Sequence, residues 1–186
     1  MNSLAALAGV VVVISAIFIL LAVLVGIAFY VFYSLMLYRL AKKEFIDHAW
    51  LAWIPYASQY LLGQIAGPMN LFGKIRIEKT GLVLLLAPLA VWAATLVLSL
   101  FATIPFPLLA IPFAIITVLL SWVGPIAILV LELCVLYRIY SPYLPKNTVL
   151  VYTLVSIIGV TVPFFIFSIL KKEPISEPYD FTFQGA

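Results

Sequence analysis

The chain has 186 residues, of which 66% are hydrophobic and 9% charged, whereas an ordinary soluble domain carries about a quarter charged residues. Together with a mean hydropathy of +1.26, this excludes a soluble enzyme domain, a disordered tail, a collagen-like fibre and a nucleic-acid module, none of which would stay dissolved with so much apolar surface. The net charge of +3 is spread over short segments and makes no face for nucleic acid. One cysteine, Cys134, and one histidine, His48, cannot build a disulfide or metal framework.

A helix needs about 20 mainly apolar residues to cross roughly 30 Å of hydrocarbon. Four stretches qualify, so the expected fold is an all-α, polytopic membrane bundle with spans at about 4–38, 81–104, 108–137 and 148–170. These form a single membrane-embedded domain over 1–170, followed by a polar tail over 171–186. The first stretch has no basic segment before it and far exceeds the apolar core of a secretory signal, so it is expected to remain as an anchor. Its last third is rich in rings (Phe29, Tyr30, Phe32, Tyr33, Tyr38), as befits side chains seated at headgroup level. The Pro105-Phe106-Pro107 break divides the second span from the third as a tight reversal.

Between the first two spans, residues 41–73 are neither loop nor plain crossing. The segment opens with Lys42, Lys43, Glu44, Asp47 and His48, then runs uncharged from Ala49 to Gly73. A full crossing there would export the basic residues Lys74, Arg76 and Lys79. Trp50 and Trp53 share one side of a helix, with Ile46, Tyr60 and Leu61 extending that face, and Pro55 interrupts it. The expectation is a bent amphipathic element, interfacial or shallowly re-entrant, that packs on the cytoplasmic side of the spans. Gly63 and Gly67 can serve as a small-xxx-small packing face, as a helix stop before Pro68, or as both.

The stretch from Ala41 through Ala49-Trp50-Leu51-Ala52-Trp53-Ile54-Pro55-Tyr56 to Gly63-Gln64-Ile65-Ala66-Gly67 resembles a family of small uncharacterised bacterial integral membrane proteins. Their shared feature is a Trp-x-x-x-Ile-Pro-aromatic segment after the first membrane helix. The regions Leu131-Glu132-Leu133 to Tyr137 and Pro163-Phe164-Phe165 are similar as well. This sequence departs from the pattern in carrying Ala57-Ser58-Gln59 where an Asn commonly follows the aromatic residue, so a role of that Asn does not carry over. The resemblance implies a multi-pass protein of the bacterial cytoplasmic membrane, with no assigned activity.

Orientation follows from the cations. Arg39, Lys42, Lys43, Lys74, Arg76 and Lys79 lie between the first two spans, and Arg138 and Lys146 lie between the last two, which places the amino end outside. Four crossings then put the tail outside too, against Lys171 and Lys172 directly after the last span; an inside tail is the alternative.

Glu132 is the one ionisable residue within an apolar span and is the candidate functional carboxylate. It either binds a proton or cation while facing the bundle, paired with a cation such as Arg39 or Lys42, or reaches the interface to be solvated or held by Arg138 or a tyrosine. His48 reads as a solvated side chain and Cys134 as a buried, inert thiol. Ser99, Thr117, Ser121, Ser156 and Thr161 are expected to bond back to their own helices or to neighbours, and Pro88, Pro112, Pro125 and Pro163 to kink them. Tyr179, Phe181 and Phe183 of the tail alternate with polar residues, a pattern that suits a strand added to a partner sheet but reads first as a short disordered end.

The chain contains no metalloprotease, thiol-redox, phosphate-loop or serine-nucleophile motif, so no catalytic residue, cofactor or metal site is expected. Trp50, Trp53, Pro55, Gly63 and Gly67 are candidates for interfacial packing. The function read from these features is a non-enzymatic accessory or interaction component of a membrane assembly, partnered by the bilayer and by another membrane protein or a second copy. The alternative is a small transporter or channel subunit built on Glu132.

Overall fold

The computed structural model describes residues 2–71, 75–103 and 107–175. Lys74, the Pro105-Phe106 pair and the aromatic residues of the tail lie outside the described residues. The described chain is mostly helical: α1 (Asn2–Lys43), a 3₁₀ turn (Ala49–Trp53), α2 (Ala57–Ala66), α3 (Thr80–Ala102), α4 (Pro107–Tyr140), α5 (Lys146–Val155), a second 3₁₀ turn (Gly159–Thr161) and α6 (Val162–Leu170). A two-stranded antiparallel hairpin, β1 (Met69–Leu71) and β2 (Ile75–Ile77), precedes α3 with Asn70 opposite Arg76. Three helical stretches are long and apolar enough to cross a membrane: Ala8–Lys43, Thr80–Ala102 and Ala110–Tyr140.

Helix-compatible sequence free of proline carries α1 beyond the expected span of 4–38 to Lys43, where the backbone itself stops it. The Ile46 amide donates to the Ala41 carbonyl (3.0 Å) and the Phe45 amide to that of Lys42 (3.2 Å), with Phe45 in the left-handed region (φ 56°). This is the paired bonding that closes many helix ends, here with a phenylalanine in place of the usual glycine. Large apolar side chains from Val10 to Val31 are exposed along α1. Only the last part, with Met36, Leu37, Leu40 and Ala41, enters the core.

After Phe45 the chain turns back along α1. The Tyr30 hydroxyl donates to the Trp53 carbonyl at 2.6 Å, which places Trp53 roughly 20 Å of helix rise from Lys43. Pro55 ends the 3₁₀ turn, and Tyr56 (φ 65°, ψ −42°) centres a tight three-residue turn in which the Ala57 amide donates to the Pro55 carbonyl at 2.9 Å. Helix α2 then returns to the cationic end. There Arg138 Nε donates to the Ala66 carbonyl (2.7 Å) and Thr80 Oγ1 to the Gly67 carbonyl (2.6 Å).

Helices α3 and α4 form an antiparallel pair, with Gly124 against Val91 near the middle and Phe101 stacked on Phe113 at 5.2 Å toward the far end. Gly63 of α2 meets Gly81 of α3 so closely that a Cβ on Gly63 would stand 2.5 Å from the Gly81 Cα. Gly67 (φ +68°) ends α2. One glycine thus gives close approach and the other the stop.

The segment expected as a fourth span, 148–170, is not one helix. Helices α5 and α6 have 10 and 9 residues, about 15 and 14 Å, and they run back to back. The Tyr152 and Phe165 rings stack at 4.2 Å, and the Tyr152 hydroxyl lies 3.5 Å from Ser168 Oγ. The Ile175 amide reaches the Pro142 carbonyl at 2.6 Å, so the segment finishes at the end where it began. Pro163 supplies the reason: in a continuous helix its ring would collide with the Gly159 carbonyl, and it has no amide to offer it. Thr161 fills part of the gap, donating its hydroxyl to Val155 (2.9 Å) and Ile158 (3.1 Å) carbonyls.

The Gly63–Gly81 contact yields the first prediction. Gly63→Ala overpacks it and is expected to cost about 1–3 kcal/mol, read as a lowered unfolding temperature in detergent. Gly26→Ala, where a Cβ meets nothing within 4 Å, is expected to leave that temperature unchanged or raise it slightly.

Candidate functional site

Both reversed segments turn at the same level of the bundle, and α4 passes between them carrying Glu132. The polar residues around a cavity of about 310 Å³ are Tyr33 from α1, Gln59 from α2, Glu132 from α4 and Ser156 at the end of α5; Leu62, Leu129, Leu133 and Val162 are among its apolar walls. Four segments far apart in sequence therefore supply one polar group each.

Their hydrogen bonding differs. Ser156 Oγ donates to the Tyr152 carbonyl at 2.7 Å and lies 3.3 Å from the Tyr140 hydroxyl, so it is committed to the turn. Gln59 Oε1 is buried and accepts no hydrogen bond. Glu132 is half-buried, and among the described residues no lysine or arginine forms an ion pair with it. The pairing with Arg39 or Lys42 is absent, and Arg138 turns its Nε to Ala66 instead. What converges is a set of hydrogen-bond acceptors, the Glu132 carboxylate and the Gln59 amide oxygen, beside the Tyr33 phenol in an apolar surround. Such a set accepts a proton or cation and disfavours an anion.

Glu132 also lines a second cavity of about 500 Å³ between α3 and α4, whose walls include Pro88, Trp92 and Pro125. The carboxylate thus stands where two cavities meet. The hydroxyls along the helices bond back to their own carbonyls: Thr117 to Phe113, Ser121 to Val118 and Ser99 to Leu96, each at 2.7 Å.

The other sequence candidates lie elsewhere. Trp50, Trp53 and Pro55 are exposed, on the segment that runs back along α1, and Gly63 and Gly67 serve α2 as described. His48 is exposed and Cys134 is a buried free thiol. No group of three metal-ligating side chains exists among the described residues. Sequence reasoning missed Tyr33 and Gln59. Gln59 carried a weak signal, a polar residue within an uncharged run; Tyr33 read only as one ring in an aromatic belt.

A polar latch at the cationic end holds the α5–α6 segment against α1. Lys43 Nζ donates to the last carbonyls of α6, Ile169 (3.3 Å) and Leu170 (3.4 Å), and to that of Lys172, and it lies 4.3 Å from the centre of the Tyr143 ring. A cation at a helix C-terminus is favourable by about 0.3–1 kcal/mol. The Tyr143 hydroxyl donates to Glu44 Oε1. Burial, and then the adjacent Glu44 carboxylate, push the Tyr143 phenol well above its ordinary value.

Comparison of the chain with protein-family models, with curated proteins and with solved structures gives no match.

The latch predicts an alkaline signature. Because the Tyr143 pKa is raised on folding, the neutral phenol's contribution is complete below the ordinary value of 10.0 and is lost as pH rises above it. Between pH 8 and 11, the unfolding temperature of the wild type is expected to fall more steeply than that of Tyr143→Phe. Parallel curves would contradict the latch.

Proposed function

We propose that this is a multi-pass protein of the bacterial cytoplasmic membrane, without covalent chemistry of its own, that acts as a small transporter or channel subunit with Glu132 as its proton- or cation-accepting group. In this reading α1, α3 and α4 cross the bilayer. The 45–66 segment and the α5–α6 pair dip in from the cytoplasmic side and return to it. The observation that carries the proposal is the Glu132 carboxylate, with no ion pair among the described residues, in a cavity where two broken segments turn. An acid kept at membrane depth costs several kcal/mol and marks functional sites by default. Broken helices that point their turns at a shared cavity are a way membrane proteins build ion sites.

The distribution of charge supports the same arrangement. Arg39, Lys42, Lys43, Arg76, Lys79, Arg138 and Lys146 all flank the end to which both reversed segments return. Three crossings instead of four put Lys171 and Lys172 there as well, which removes the conflict between the tail and the positive-inside rule.

A second reading has its own observation. The apolar side chains of α1 from Val10 to Ile27 are exposed, which suits a helix that associates with another membrane protein or a second copy and makes the chain an accessory component. A chain that purifies from mild detergent alone and monomeric would remove that reading.

The transport proposal is tested in sealed vesicles holding the purified chain, with an imposed pH gradient or membrane potential. The wild type is expected to pass protons or alkali cations, Glu132→Gln to lose about tenfold or more of that flux, and Glu132→Asp to keep part of it. Equal flux through the wild type and Glu132→Gln would overturn the proposal.

A further inference from the structure

The two cavities that meet at Glu132 differ in character, and the difference carries chemistry. The larger one lies between α3 and α4, where Pro88 and Pro125 stand opposite each other. Its two hydroxyls are already committed to their own helices: Thr95 Oγ1 donates to the Val91 carbonyl and Ser121 Oγ to that of Val118, both at 2.7 Å. The groove therefore offers an occupant mainly apolar wall, with Trp92, which is 65% exposed, and no charged side chain but Glu132. In the antiparallel register that sets Val91 against Gly124, Trp92 lies about 14 Å of helix rise from Glu132. Past the carboxylate, the smaller cavity presents Gln59 Oε1, buried and accepting no bond.

An apolar channel that ends on a carboxylate and an orphaned amide oxygen is complementary to one kind of molecule: a hydrocarbon body carrying a positively charged N–H donor. We infer that this site takes a lipophilic ammonium compound, with its ammonium between Glu132 and Gln59 and its apolar chain along the α3–α4 groove toward Trp92. The inference rests on the proposed role of Glu132 and deepens it by naming the cation. The N–H groups satisfy both acceptors, and the charge compensates a carboxylate that has no ion pair among the described residues. When Glu132 starts out protonated, binding releases that proton to water, so charge balances. An aminophospholipid presents the same ammonium but brings its phosphate within a few ångströms of Glu132, an anion against an anion with no cation among the described residues paired there, and is disfavoured. A plain acyl chain fills the groove and leaves both acceptors bare.

The test uses the full chain in phosphatidylcholine vesicles, with Trp92 as its sole tryptophan after Trp50→Phe, Trp53→Phe and Trp122→Phe. The probe is decylamine carrying a terminal bromine, which quenches tryptophan on contact; the matching bromodecanol partitions into lipid but lacks the charge. Saturable quenching by the amine at a concentration about tenfold or more below that needed for the alcohol is expected. Unbrominated decylamine should reverse it, and decyltrimethylammonium, which has no N–H, should do so poorly. Glu132→Gln should make the amine behave like the alcohol. Equal quenching by amine and alcohol, or displacement of the amine by added phosphatidylethanolamine, would overturn the inference. Proton flux that depends on Glu132 alongside equal quenching would remove the lipophilic amine and leave the carboxylate's role intact. The displacement series uses no substitution at the site, so it holds even where Glu132→Gln folds poorly.

Discussion

A polypeptide that stops being helical inside hydrocarbon leaves amides and carbonyls that water cannot reach, and each must find a partner in the protein. In the proposed arrangement two turns face that demand, at 54–57 and at 156–161. At the first, the Ala57 amide bonds the Pro55 carbonyl and the Tyr30 hydroxyl takes the Trp53 carbonyl. At the second, the Ser156 and Thr161 hydroxyls take the carbonyls of Tyr152, Val155 and Ile158. The turns close on their own short bonds, on side-chain hydroxyls and on α1.

The rest of the architecture follows from those reversals. Because both segments double back, their open ends gather at one end of the bundle with the cations, where Lys43 can reach the last carbonyls of α6 and Tyr143 can reach Glu44. Because both turns lie beside α4, the cavity between them receives Gln59 from one segment and Ser156 from the other, with Glu132 facing it. The small-residue contact of Gly63 on Gly81 seats α2 against the start of α3. The latch fixes the α5–α6 pair at its open end, and the stacked Tyr152 and Phe165 rings hold its two limbs together.

Much of this was legible in the sequence. The all-helical class, the second and third long apolar helices, the Pro55 break and the lone acid at Glu132 all follow from composition, hydropathy and proline. The end of α1 did not, since nothing between Arg39 and Lys43 opposes a helix and the stop depends on a left-handed Phe45. Nor did the short β1–β2 pair, whose strands of three residues lie below any periodicity signal. The direction of 148–170 was hidden for a different reason: hydropathy counts apolar residues and is blind to whether they go through or come back. Gly159, Pro163 and the two lysines after Leu170 were the local signs of a reversal. Tyr33 and Gln59 join Glu132 only through contacts between segments remote in sequence, which no local pattern reports.

The reversal of α5 and α6 is the central claim, and its sidedness is directly measurable. In a chain with Cys134→Ala, single cysteines at Lys146 and Lys172, both exposed, would be treated with a membrane-impermeant maleimide in sealed vesicles of one orientation. The account predicts that both positions react from the same side. Reaction from opposite sides would make 148–170 a true crossing and contradict it.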